Sequence, residues 1–406
     1  MKRRVVVTGM GLISPLGNDT DDAFKRLGTF ENCVSHLAEL DGYKGLNSRL
    51  GCCVAFTPPK HWNRKTTRTM GPVSMYALAA SEQAVAQAGL TEEELASGRT
   101  GVAYGSCSGS VAAHLDFFSM LTAREVKNIT SGTYLKMMPQ TCAVNLSVHF
   151  KTHGRLVPTG TACTSGSLAI GNAAELIRWG VQDVMLAGGA DEFSPTQVAV
   201  FDTLYATSLR NDAPKTSPAP YDANRDGLVI GEGACTFVLE ELEHAIARGA
   251  KPLAEVVGFA ETTDGTHVTN PNPETMGEAL SLALADAGLG GGDIGYVSGH
   301  GTATKAGDIA ETAATYAVFK RPVPISSLKS YIGHTLGACG AIEAAMLVKS
   351  MAAAWYPPTL NLNTPDPACA PLDYVVGAGR DLDCEFAMSN NFAFGGVNTS
   401  LVFKRI

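Results

Sequence analysis

The sequence lacks most of the patterns that announce a site on their own. Its ten cysteines form no Cys-x-x-Cys pair and no regular framework. That excludes a disulfide scaffold or zinc ribbon and points to reduced thiols in a cytoplasmic setting. No apolar run approaches the roughly 18–20 residues of a membrane span, so no membrane segment is expected. HExxH, a P-loop lysine and GxSxG are all missing. The basic start, MKRRVVVTGMG, is broken by glycines too early for a signal peptide and reads as a buried strand. Gly9 and Gly11 begin a dinucleotide fingerprint, but Ser14 stands in place of its third glycine. DANRDG, residues 222–227, opens like a calcium loop whose twelfth position, Gly233, carries no carboxylate. No metal site survives. A net charge of −8 argues against general nucleic-acid binding.

What is present is an alternation of strand-like and helix-like stretches over the whole 406 residues. RRVVVTG, TGVAYGS, GRLVPTGTA and DVMLAGGA read as strands in the first 250 residues, with helices near 19–27, 75–90 and 165–180. TEEEL, residues 91–95, offers a capping box of Thr91 with Glu94. The alternation restarts at residue 251, with helices at 274–288, 308–320 and 337–353, and ends in two strands around a glycine turn. TACTSGSLAIGNAAEL and GHTLGACGAIEAAML echo each other, each leading into a helix with a small-residue face. The expectation is an α/β fold with a duplicated core, in halves 1–250 and 251–406.

The candidate chemistry is dispersed. Cys163 opens a helix, where free N–H groups and the dipole favour a thiolate and an oxyanion, although the local sequence alone favours a buried packing cysteine. His300 lies just beyond a strand in SGHGTATKAGD; Lys329 and His334 flank a turn, and Glu343 follows on a helix. Loops after strands are where open α/β folds place ligands. A sulfur nucleophile suits acyl transfer through a thioester, and two histidine donors on one carbonyl suit an enolate.

TACTSGS, GHGTATKAGD, SSLKSYIGHTLGACGAIEA and NNFAFGGVN, in this order, resemble the β-ketoacyl-acyl carrier protein synthases, nearest to the bacterial elongating type II enzymes. The likeness runs from RRVVVTGMGLISPLG through YDANRDGLVIGEGA to LVFKRI. It implies a thiolase-like fold of five layers, α/β/α/β/α, and a homodimer. It also implies a decarboxylative condensation in which Cys163 takes an acyl chain and malonyl-acyl carrier protein supplies the carbanion. His300 and His334 would assist the decarboxylation, with Lys329 and Glu343 completing the polar set. The backbone of Cys163 and Phe394 would form the oxyanion hole, Thr269, Thr302 and Thr304 would face the pantetheine arm, and Arg64, Lys65 and Arg68 would dock the carrier.

The departures are specific. Ser298 replaces an asparagine that often helps a monovalent-cation site at residues matching Glu343, Ser389 and Asn390. Ala393 replaces a glycine of the gating loop beside Phe394. Ser108 replaces a bulky aliphatic at the acyl tunnel, and Tyr205 a second docking arginine. These leave room for a dedicated ketosynthase of a polyene or polyketide pathway, paired with itself or with a homologue. A non-catalytic chain-length subunit would lack Cys163. A thiolase acting on coenzyme A would carry a second cysteine where NNFAFGG has phenylalanine.

Overall fold

The computed structural model describes residues 3–406. Eleven strands form one sheet, in the order Asp373–Tyr374, Pro324–Ser326, Ile294–Ser298, Phe386–Ala393, Val397–Arg405, Ala254–Thr263, Val5–Ile13, Gly233–Glu241, Val184–Asp191, Thr100–Gly105, Leu156–Thr159. The middle of this list is a short joint: Val5–Ile13 meets Ala254–Thr263 through only Val6 with Glu255 and Val7 with Ala254. Outward from the joint, each half repeats one pattern. Two antiparallel pairings come first and parallel ones follow. The duplication suggested by the echoing motifs is thus written in the topology.

Burial explains the layers. VVVTGMGLI, the first strand, is buried at every position, so both faces must be covered. Helix Pro72–Ala88 covers one face of the first half. It comes so close that a Cβ on Gly9 would lie 2.1 Å from the Ala84 carbonyl oxygen, and one on Gly11 1.9 Å from that of Ala80. The glycines that mimic a dinucleotide loop serve helix packing. The other face carries helix Ser165–Arg178, which packs on helix Cys339–Ala353; the second half follows, covered outside by Pro273–Ala287 and Lys305–Phe319. These are the five layers expected.

The two central helices are built alike. Each is preceded by a single 3-10 turn, Ala162–Thr164 or Leu336–Ala338, entered through a residue at φ 52°, Ala162 or Leu336. They meet where side chains are smallest: a Cβ on Gly166 would stand 2.8 Å from the Gly337 carbonyl oxygen and 3.0 Å from the Ala341 nitrogen. Leu336–Ala353 is long and apolar enough to cross a membrane, with a mean hydropathy of 1.4. The expectation that no run approaches that length is therefore corrected; the stretch is 83% buried because its helix lies between the two halves of the sheet.

Most expected elements stand within a few residues of their places, including the Thr91–Glu94 capping box. Helices Val111–Ala123, Ser131–Met137, Thr141–Phe150 and Pro195–Asp202 and strand Gly233–Glu241 were not expected. Because the Gly166 contact is backbone to backbone, Gly166→Val is expected to cost roughly 2–3 kcal/mol. A thermal melt checks this, and an unchanged midpoint would refute the close packing.

Candidate active site

The 3-10 turn at Ala162–Thr164 lifts Cys163 to the floor of a cavity of about 630 Å³, although the residue is only 3% exposed. Helix Lys329–Ile332 ends at Gly333, at φ 66°, and the next residue, His334, turns to the sulfur: its Nε2 lies 2.9 Å from Cys163 Sγ. His334 Nδ1 accepts the backbone N–H of Leu336 at 3.2 Å, so the ring hydrogen sits on Nε2 and points at the sulfur. Ring nitrogens of His300 and His334 and the sulfur of Cys163 lie within 4.8 Å of one another. The two rings stand edge to face, with centroids 5.2 Å apart.

Behind His300 lies a buried ion pair. Lys329 Nζ donates to Glu343 Oε1 at 2.5 Å and to His300 Nδ1 at 3.1 Å. Burial works against the Lys329 charge, yet the Glu343 carboxylate beside it holds its pKa above the ordinary lysine value. Burial first, and then the Lys329 charge, push both histidines well below the ordinary value, so both are neutral donors.

The sulfur corrects one expectation. Burial pushes the Cys163 thiol up to about 11, despite the Lys329 charge and the backbone N–H groups of Phe394 and Cys163 that favour its anion. At rest it is a thiol, because desolvation outweighs the helix terminus. The same two N–H groups are the donors expected for an oxyanion. Thiolate content far below the pKa rises about tenfold per pH unit. Alkylation of Cys163 by iodoacetamide is therefore expected to climb steadily from about pH 7 to pH 9. A plateau below that range would show a resting thiolate.

The remaining expectations divide. Thr269, Thr302 and Thr304 all line the cavity, as do Tyr205, Ala393 and Phe394. Phe394 packs on Phe201 with ring centroids 4.9 Å apart. Ala393 ends its strand paired with Val397, and the positive φ values of the turn fall on Gly395 and Gly396 instead, so the alanine is unstrained here. Ser108 lies outside the cavity lining, and its Oγ is buried without a hydrogen-bond partner among the described residues. Arg64, Lys65 and Arg68 are exposed on and just after helix Arg64–Thr67, also away from the lining.

A monovalent cation at Glu343, Ser389 and Asn390 does not fit these residues. Both Glu343 oxygens already accept N–H donors, from Lys329 and from Asn391 Nδ2 at 2.7 Å. The unpartnered Asn390 atom is its amide nitrogen, itself a donor, which leaves only Ser389 Oγ.

Sequence reasoning missed the supports. Glu311 accepts the backbone N–H groups of His300 and Gly301 at 2.5 and 2.7 Å, and burial raises its pKa to about 7. Asp308 accepts from the Tyr221 and Ala303 N–H groups and pairs with the buried Arg225. The signal was the acidic i, i+3 pair inside KAGDIAE, right after the histidine loop. Asn391, in NNFAFGG, was the other omission.

Residues 2–245 match the model of the beta-ketoacyl synthase N-terminal domain, and residues 253–363 that of the C-terminal domain. The chain belongs to the beta-ketoacyl synthase family. This synthase is 39% identical to the 3-oxoacyl-[acyl-carrier-protein] synthase 2 of Vibrio cholerae over all of both chains. Its structure matches a beta-ketoacyl synthase from Burkholderia phymatum with a TM-score of 0.98, at 54% identity and full coverage of both chains. It also matches, with a TM-score of 0.89 at 29% identity and full coverage of both, a chain of a complex between a type II PKS acyl-carrier protein and its hexaketide-bound ketosynthase.

Proposed function

We propose that the synthase elongates acyl chains by decarboxylative Claisen condensation on acyl carrier protein. The observation that carries this is the convergence of Cys163 Sγ, two neutral histidines and the Cys163 and Phe394 N–H groups on one cavity floor. In the first half-reaction Cys163 gives up its proton and attacks the acyl thioester. The acyl–sulfur bond to the carrier breaks, and the carrier leaves as a free thiol. In the second, malonyl-carrier loses carbon dioxide, and the electron pair passes to the thioester oxygen, held by the ring hydrogens of His300 and His334. The carbanion carbon attacks the acyl-Cys163 carbonyl, whose oxyanion is met by the two backbone N–H groups. Collapse frees the Cys163 sulfur, which regains a proton, and 3-oxoacyl-carrier departs.

The other assignments belong to the same proposal. Thr269, Thr302 and Thr304 hold the pantetheine arm, Phe394 gates the floor, and Arg64, Lys65 and Arg68 meet the acidic carrier. Ser108, outside this cavity, is proposed to border a separate space for the acyl chain. The proposed setting is cytoplasmic, which the ten unpaired cysteines support. A homodimer is proposed from strand Leu156–Thr159, which lies at the sheet edge, and from Leu115, Phe118 and Leu121, exposed along one face of Val111–Ala123.

Two experiments test the proposal. Cys163→Ser is expected to lower condensation of acyl- with malonyl-carrier by at least about 1,000-fold and to remove the acyl adduct seen by mass spectrometry. Condensation that survives would overturn the assignment. The adduct of the native protein reports the pathway: long saturated chains place it in general fatty acid elongation, polyene or oxygenated chains in a dedicated one. Light scattering is expected to give twice the chain mass, and Phe118→Asp to halve it; a native monomer would reject the dimer.

A further inference from the structure

We propose that Asn391 is a positioning residue of the condensation, spending one amide hydrogen on Glu343 and the other on His300 so that the His300 ring keeps its own hydrogen on Nε2. This rests on the reading above, in which His300 donates to the substrate carbonyl.

The geometry is closed on every side. Asn391 sits in strand Phe386–Ala393, fixed in height by its register with Thr399 on the neighbouring strand. Its Nδ2 lies 2.7 Å from Glu343 Oε2 and 3.3 Å from His300 Nδ1, with Cys339 Sγ farther off at 3.8 Å. His300 Nδ1 also faces Lys329 Nζ, at 3.1 Å. An ammonium and an amide nitrogen only donate, so Nδ1 can only accept. The neutral imidazole then carries its hydrogen on Nε2, the nitrogen left for whatever enters the cavity. Lys329 reaches Nδ1 while it pairs with Glu343; Asn391 is the neutral second donor on that nitrogen and ties the carboxylate from the other side.

The orientation of the amide is chemically forced. Turned over, its oxygen would face both a carboxylate and an imidazole lone pair, three acceptors with no hydrogen between them. In the observed sense Asn391 Oδ1 is buried with no hydrogen-bond partner among the described residues, against Gly340, where a Cβ would come within 2.7 Å of it. A side chain that leaves its acceptor unpaired while using both donor hydrogens is placed for its donors. A serine at this position would have one hydrogen for two acceptors.

Asn391→Ser and Asn391→Asp test this in the full-length protein. Two rates are measured separately: carbon dioxide release from malonyl-carrier, and acyl transfer from acyl-carrier to Cys163. In both variants the ratio of the first rate to the second is expected to fall at least about 10-fold, in kcat rather than in KM. In native protein labelled with ¹⁵N-histidine, the His300 signals are expected to show an unprotonated Nδ1 and a protonated Nε2, with mixed tautomers in the variants. An unchanged ratio overturns the proposal. So does an equal fall in both rates with a lowered melting temperature, which marks a merely structural role, and so does a proton on Nδ1 in the native enzyme. Native protein that neither decarboxylates nor condenses defeats the condensing reading instead, and the tautomer signals still decide the Asn391 arrangement.

Discussion

The near-contact of two helix starts governs the rest of the molecule. Gly166 and Gly337 bring the backbones of the central helices together, so the nucleophile of one half and the polar set of the other share one floor. With larger residues there, the layers would separate and the His334 ring would lose its 2.9 Å approach to Cys163 Sγ. Catalytic geometry is here a by-product of packing: the position of a reacting atom is set by the thickness of neighbouring side chains.

Burial has a double effect at that floor. It strips water from Lys329 and Glu343, which makes their pairing obligatory, and it keeps the neighbouring histidines neutral. Neutral donors suit a step in which charge appears on a carbonyl oxygen and then vanishes, since a fixed cation would hold the enolate too firmly to attack. The same burial keeps Cys163 protonated until a thioester arrives, which protects it from adventitious alkylation and oxidation.

How far the sequence could be read follows from the range of each interaction. The strands and the two echoing helices were legible because hydrophobic pattern and small-residue spacing are local properties. Cys163, His300, Lys329, His334 and Glu343 were legible because they stand in ordered motifs with a family resemblance. The roles of Asn391 and Glu311 were not, since what they touch depends on strand register and on a loop 10 residues away in sequence. The thiolate expectation failed because a helix start is visible in sequence and desolvation is not. Helix Val111–Ala123 escaped notice because its apolar residues run round the helix, Leu115, Phe118 and Leu121 facing outward.

The short central joint has a consequence for how the chain is made. The sheet of the first half is complete by Glu241, while helix Ser165–Arg178 still awaits its cover from Phe259, Ala341 and Thr399. During synthesis the ribosome therefore presents a finished sheet with one uncovered apolar helix until the last strands emerge, the stage at which nascent chains stick to one another. Small residues on that helix reduce the apolar area on show, so the glycines that let the halves meet also lower the hazard of the wait.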